Sequence, residues 1–357
     1  MISYDIIEHG KPLQRVVHET PVPKDTEVLI RIMRCGVCHS DLHIWDGYFD
    51  WGDGKRFYVR ERGCVPPFTL GHEPFGVVEA VGPSAKGVQV GERRLVYPWI
   101  GCGKCSVCMK GQDNYCVSGA RYLGITRNGA YGTHVLVPHP RYLVDTGDLD
   151  PSFASTLSCS ALTVFSAVAK LSAAGSKDWV AVVGCGGLGL VAFSILKAKG
   201  IENLIACDVD DAKLDAATRL GARKTLNTRD ATAAAALQAA TDCNLAGALD
   251  FVGMPSTAAL ALGALQKGGQ YVLCGLYGGE LRHPLPPIAQ RAISINGSFV
   301  GTLSELQQVV VLAKEGKIKP PPIEVRPASA VSRSLEELKS GKIVGRIVLD
   351  FMGEASR

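Results

Sequence analysis

The chain has no Lys/Arg cluster with interleaved aromatics, and its net charge of +4 over 357 residues is small and spread out. A nucleic-acid partner, which needs a basic patch, therefore has no support. The first residues, MISYDIIEHGKP, lack the basic-then-apolar pattern of an export signal, so a cytoplasmic protein is expected. The unbroken apolar runs, such as WVAVVG, are far too short to span a bilayer, and no membrane partner is expected. There is no internal repeat, and the PPP at 320–322 marks a turn rather than a disordered linker. Charge is scarce at 20% beside 46% hydrophobic residues, which excludes a disordered chain. The length exceeds one ordinary core and asks for two domains.

Cysteine is plentiful instead, with 12 in the chain. In a large chain without an export signal these suggest metal ligands or free thiols rather than disulfides. Cys102, Cys105, Cys108 and Cys116 follow C-x2-C-x2-C-x7-C, with Gly101, Gly103 and Gly111 allowing tight turns. Four thiolates close a tetrahedral zinc, so this set holds structure. Four free thiols crowded together by chance, or a zinc ribbon that binds nucleic acid, are the competing readings. The missing basic cluster argues against the ribbon. Cys38 in CGVCHSD, His72 in GHE and Cys159 in LSCSALT form a second set. Two thiolates and an imidazole leave a fourth zinc position for water or substrate. Their spacing alone is weak, because a lone His or Cys is more often plain packing. What lifts them is Glu73 beside His72 and Asp41 close to Cys38, since a carboxylate commonly fixes the tautomer of a ligand imidazole. Cys35, Cys64, Cys185, Cys207, Cys243 and Cys274 lie outside both sets. Of these, Cys185, Cys207 and Cys274 sit in apolar strand-like runs and read as small core residues.

Residues 1 to about 150 read as short strands broken by Gly and Pro turns, an irregular β-rich or barrel-like unit. From about 160 the runs WVAVVG, NLIACDV, RKTLN, GALDFVG, GQYVLCGL and AISINGSFV alternate with helical segments. Such alternation builds a doubly wound parallel sheet with helices on both faces, an α/β class. A last helix, SLEELKSG, and strand, GRIVLDF, return to the first domain. Gly184, Gly186 and Gly189 form G-x-G-x-x-G directly between a strand and a helix, with Gly187 and Leu188 inside the turn. The glycines give the tight turn and let backbone N–H groups approach a pyrophosphate at the helix N-terminus. Asp208 follows Gly189 by nineteen residues, where a carboxylate accepts from both ribose hydroxyls and repels a 2′-phosphate, favouring NAD. Its other reading is a cap on the next helix, which Asp210 or Asp211 would supply equally.

CGVCHSDLH, GHEPFGVVEAVG, the four-cysteine run, LSCSALT, VVGCGGLG, GSFVGT and GRIVLD, in this order, resemble the zinc-dependent medium-chain alcohol dehydrogenases over nearly the whole chain. The resemblance implies a GroES-like catalytic domain at 1–160, completed by 298–357, and a Rossmann NAD-binding domain at 161–297, with the active site in the cleft between them. It implies a catalytic zinc on Cys38, His72 and Cys159 and a structural zinc on the other cysteine set. Ser40 and His43 match a proton relay, and Asp41 and Glu73 the acids behind the metal ligands. His39 and Arg346 match phosphate contacts, Lys213 a ribose contact, and Thr163, Leu188, Leu276 and Val300 positions beside the cofactor. Trp45, Trp99, Leu276 and Phe299 match the substrate pocket, with ordinary packing the alternative for each. The implied reaction interconverts a primary or secondary alcohol and its aldehyde or ketone with NAD. Polyol, formaldehyde-adduct or cinnamyl-type substrates stay open. A zinc-free reductase lacks the ligand set, and a non-catalytic NAD- or zinc-binding sensor is the reading from another class. The family implies a homo-oligomer, dimer or tetramer, with AISINGSFV a candidate for sheet-edge pairing.

One stretch departs from that family. IWDGYFDWGDGKRFYVRERGCVPPF, between Cys38 and His72, is longer than usual and carries Trp45, Tyr48, Phe49, Trp51, Phe57 and Tyr58 with Lys55, Arg56, Arg60 and Arg62. Either it lines the cleft mouth and favours a bulky or aromatic substrate, or it serves subunit contact or surface packing.

Overall fold

The computed structural model describes residues 1–172, 174–230 and 232–354. The six alternating runs of the second half form one parallel sheet: Trp179–Val183, Asn203–Asp208, Lys224–Asn227, Leu245–Asp250, Gln270–Leu273 and Ser294–Gly297. Numbered along the chain, their spatial order is 3-2-1-4-5-6, the doubly wound dinucleotide arrangement. Side chains alternate across a strand, so the four inner strands, covered on both faces, are largely apolar, whereas the edge strands Lys224–Asn227 and Ser294–Gly297 are partly exposed and carry polar residues. Val180 and Val182 join one core, and Ala181 and Val183 the other, on opposite faces. The order reverses at the first strand, so a crevice opens beyond its carboxyl end, where the glycine turn follows.

The first half is built around the ten-residue strand Val28–Val37, paired antiparallel with Pro74–Val81 and with the late strand Arg346–Asp350. Ile323–Pro327 lies parallel on the far side of Arg346–Asp350. The chain end thus returns to the first sheet, as its position beyond the sixth parallel strand predicts; residues 355–357 lie outside the described part. Ile2–Ile6, Gln14–Val17 and Phe68–Thr69 form a small separate sheet. Tyr48–Asp50 and Arg56–Tyr58 pair as a hairpin inside the long stretch after Cys38.

A continuous helical stretch, Pro151–Val168, joins the two halves, with a wider π turn at Leu157–Ala161 that carries Cys159. With a mean hydropathy of 1.2 it is long and apolar enough to cross a membrane, yet 94% of it is buried inside the protein. No unbroken apolar run in the sequence marks this stretch, because its hydroxyl residues interrupt the pattern. Its hydroxyls are absorbed locally: Ser155, Thr156 and Ser160 donate to the carbonyls of Ser152, Phe153 and Thr156 at 2.9, 2.8 and 2.7 Å. A polar residue whose hydrogen bond is made within its own helix can enter a core. Cys185 and Cys207 are fully buried as expected, whereas Cys274 is half-buried and lines the cleft.

Candidate active site

Helix His39–Asp46 starts directly after the strand Val28–Val37, which sets Cys38 at the turn between them. Asp41, in the first turn of that helix, accepts from the Cys38 backbone N–H at 2.9 Å and from the Tyr131 hydroxyl at 2.8 Å. Its other oxygen stands 3.1 Å from Nδ1 of His72. That leaves His72 Nε2 buried with no hydrogen-bond partner among the described residues. Cys38 Sγ and Cys159 Sγ are 3.9 Å apart, and both are free thiols. Donor atoms of Cys38, His72, Glu73 and Cys159 all lie within 4.8 Å of one another, and all four residues are buried. The sulfurs and the unengaged imidazole nitrogen are the donor set zinc takes. Cys159 beside it, with His72, pulls the Cys38 thiol well below its ordinary range. Asp41 thus stands where its carboxylate can hold the His72 ring in one tautomer. Glu73 does more than expected: Oε2 accepts from the Arg346 guanidinium, while Oε1 is buried without a partner among the described residues, beside the ligand set. Gly36 is required here, because a Cβ on it would strike the Glu73 carboxylate. Tyr131, ninety residues from Asp41, carried no local signal in the sequence.

The second cysteine set closes on itself in a lobe. Donor sulfurs of Cys102, Cys105, Cys108 and Cys116 lie within 4.8 Å of one another. Cys102 N–H points at Cys116 Sγ and Cys105 N–H at Cys102 Sγ, both at 3.3 Å. Backbone N–H groups of Cys108 and Val117 lower the Cys105 thiol to about 6. Backbone donors that favour thiolates, around four sulfurs that alone complete a tetrahedral set, suit a closed structural metal. Asp113, also in the lobe, binds Arg141 at 2.8 Å and fixes the lobe to the neighbouring chain.

A cleft of about 1120 Å³ runs from the first ligand set along the carboxyl ends of the parallel strands. The glycine turn lines it, and helix Gly187–Ala198 starts there. A Cβ on Gly189 would meet the Gly184 carbonyl, so glycine alone lets helix and strand close up, whereas Gly186 faces open space. Arg346 sits between Gly187 and Glu73, and its Nε is buried without a partner among the described residues, a donor suited to a phosphate oxygen. Asp208 accepts from Cys185 N–H at 2.6 Å and Asp210 N–H at 3.0 Å, while Asp210 is the residue that caps the next helix, through Ala212 N–H. Capping is thus done without Asp208, which lines the cleft with Lys213. These features fit a bound dinucleotide.

Cys38, His39, Ser40, His43, Trp99, Cys159, Thr163, Leu188, Leu276, Phe299 and Val300 line the same cleft. Trp45 does not. Two residues on a helix turn the side chain about 200°, so Trp45 faces away from His43. It is buried, donating from Nε1 to the Lys11 carbonyl at 2.6 Å, with Lys339 over its ring. The hairpin of the long insertion brings Phe49, Trp51 and Phe57 to the cleft instead. Phe49 stacks on His43 at 4.7 Å, Trp51 on Phe57 at 4.9 Å, and Arg62 lies over Phe57. Burial, with the nearby His39 second, lowers His43 to about 4. The folded state therefore prefers the neutral ring. Stability from this group is complete above its unfolded value of 6.5 and is lost as pH falls toward 4. In melts at pH 7 and pH 4.5, the margin of the wild type over His43→Asn is expected to shrink at the lower pH. A margin that is constant or grows there contradicts a buried neutral ring.

Fold and donor sets together define a zinc-binding dehydrogenase. The alcohol dehydrogenase GroES-like domain family matches residues 24–148, and the zinc-binding dehydrogenase family residues 187–315. An NAD-dependent alcohol dehydrogenase of Sulfurisphaera tokodaii is 36% identical over 98% of this chain and 99% of its own. The alcohol dehydrogenase of Aeropyrum pernix superposes with a TM-score of 0.89 at 29% identity, covering 98% of this chain and 100% of that one. A cobalt- and zinc-bound thermostable alcohol dehydrogenase of Pyrobaculum aerophilum does so at 0.84 and 30%, covering 98% and 99%. The chain belongs to the zinc-dependent medium-chain alcohol dehydrogenase family, and it is an enzyme.

Proposed function

We propose that this enzyme interconverts a primary or secondary alcohol and its aldehyde or ketone by hydride exchange with NAD, with zinc in both cysteine sets. One observation carries the reading: four buried donors converge, and two of them, Cys38 and Cys159, line the cleft that also holds the glycine turn. When bound at Cys38, His72 and Cys159, zinc supplies Lewis acidity toward an alcohol or carbonyl oxygen. Ser40 takes the alcohol proton, and His43, neutral at pH 7, passes it toward solvent. A relay is needed because a closed cleft offers no bulk water. Asp41 and Glu73 hold the ligand set. Asp208 and Lys213 hold the ribose. His39, Arg346 and the helix N-terminus hold the pyrophosphate. Thr163, Leu188, Leu276 and Val300 keep the nicotinamide at reacting distance. Trp99 and Phe299 wall the substrate.

The reading divides the chain into a catalytic unit, 1–160 with 298–357, and a nucleotide unit, 161–297. The pairing of Arg346–Asp350 with Val28–Val37 supports that division. It extends to a homo-oligomer, supported by the open edge strand Ser294–Gly297, and to the cytoplasm, where the twelve free cysteines stay reduced. A second reading concerns the substrate. Phe49, Trp51 and Phe57 on the cleft favour a bulky, aromatic alcohol.

The test is an NADH absorbance screen over aliphatic, aromatic and polyol substrates with NAD and NADP in parallel. Turnover is expected with NAD and weakly with NADP; silence with every alcohol would leave a sensor as the better reading. In Trp51→Ala/Phe57→Ala, KM for a benzylic alcohol should rise about tenfold or more, the scale of a lost apolar contact. Ethanol should change little. An equal change for both alcohols argues that the hairpin only packs the surface.

A further inference from the structure

Ser298, Phe299 and Val300 form one stretch of the cleft wall. Val300 has φ +41, in the left-handed region that a β-branched residue resists. Such a conformation persists only where its surroundings over-determine the backbone. Two side chains hold that backbone directly here, and a third holds the Ser298 side chain beside it. Lys170 Nζ donates to Ser298 Oγ at 3.0 Å, Tyr97 donates to the Gly301 carbonyl at 2.8 Å, and Asn114 Nδ2 donates to the Phe299 carbonyl at 3.2 Å.

The third tie differs from the others in origin, because Asn114 belongs to the four-cysteine lobe, two residues before Cys116. It is 1% exposed. Its own backbone carbonyl accepts from the Tyr122 hydroxyl at 2.7 Å. The Tyr122 and Phe299 rings lie 6.1 Å apart, and each meets Trp99, at 5.7 and 5.8 Å. Trp99 in turn lies 5.5 Å from the His72 ring and donates from Nε1 to the Ser158 carbonyl, next to Cys159. Asn114 therefore fastens both outer rings of an aromatic wall that reaches the ligand set, one ring through its backbone and one through its side chain. Its Oδ1 is buried with no hydrogen-bond partner among the described residues. An unmet buried acceptor costs stability, and a leucine of similar size carries no such cost. What the amide adds is the bond to Phe299.

We propose that Asn114 is a positioning residue for substrate binding, which carries the geometry of the four-cysteine lobe into Phe299 and so sets the fit of bulky alcohols in the cleft. It acts through Phe299, not on the reacting atoms. The inference rests on the alcohol and NAD reading above.

The test uses the full-length, zinc-loaded enzyme with ethanol and 1-phenylethanol. In Asn114→Leu, KM for 1-phenylethanol is expected to rise about fivefold, the scale of one hydrogen bond. KM for ethanol and both kcat values should hold near wild type. Zinc content and NADH affinity should also hold, and Tm should stay level or rise. Tyr122→Phe, which cuts the other fastening and leaves the Asn114 side chain in place, should raise the same KM, and the double variant should fall short of the product of the two effects, since neighbours that share one wall are not independent. Unchanged KM for 1-phenylethanol in both variants overturns the proposal. So does an equal KM rise for the two alcohols with a lowered Tm, which marks a merely structural role. A wild type inert toward both alcohols overturns the functional reading and the inference with it, whereas an active wild type with unaltered variants overturns the inference alone.

Discussion

Replacing Cys38 or His72 with alanine should cut turnover by about three orders of magnitude or more while leaving NADH binding nearly intact. The donor atoms involved are within 4.8 Å of one another and buried, so one lost donor leaves the others facing each other without a shared cation. Lewis-acid stabilisation contributes several kcal/mol, and about 1.4 kcal/mol is tenfold in rate, which sets the size of the loss. Cofactor binding should survive because Gly184, Gly186 and Asp208 stand on the parallel sheet and its turns and Lys213 on the helix Asp211–Leu220 that follows, not on the ligand-bearing strand. Metal analysis should find zinc only in the lobe. Asp41→Ala should be milder, weakening metal affinity about 10–100-fold, because it loosens the His72 ring without deleting a donor. Full activity in Cys38→Ala, with the metal content unchanged, would remove the proposed centre altogether.

Arg346→Met should be the most destabilising single change in the cleft, by about 3–5 kcal/mol, the usual cost of stripping one partner from a buried ion pair. Arg346 is 4% exposed and Glu73 0%, so solvent cannot take the place of the lost guanidinium. Burial already raises the Glu73 carboxyl to about 7, against the downward pull of Arg346. The control is Glu73→Gln combined with Arg346→Met, which removes the buried charge and should recover much of the loss. Denaturant midpoints measure both. A single variant as stable as wild type would mean that the carboxyl is already neutral and the pair contributes nothing. Recovery in the double variant would show that the penalty lies in the unpaired charge rather than in lost packing.

Much of the site was legible along the chain because its chemistry is carried by residue type. Thiolates at short intervals have few uses, and a glycine turn between a strand and a helix is nearly all backbone. The inner parallel strands were legible for a related reason: strands covered on both faces are largely apolar, and the two polar edge strands were legible from their place in the strand–helix alternation. The resemblance put Trp45 at the pocket with ordinary packing as the alternative, and it is packed, because helix phase, which position in the sequence does not show, turns it away from His43. The stretch Pro151–Val168 was missed as a long apolar helix because its hydroxyls break the pattern while bonding to their own backbone. Cys274 looked like core because its neighbours in the chain are apolar, yet its strand ends at the cleft.

By itself, then, the order of amino acids determined which atoms could ligate metal, where a dinucleotide could lie and which runs would be strands, since each of these depends on local composition and spacing. Only the tertiary structure decided that Glu73 joins Cys38, His72 and Cys159, that Arg346 reaches between Glu73 and the glycine turn, and that Asn114 ties the lobe to Phe299. Those contacts join residues 273 and 185 positions apart in the Arg346 and Asn114 cases, and nothing local encodes them. They exist because the last strand folds back onto the first sheet and the lobe packs against the cleft, which is a property of the whole chain's packing.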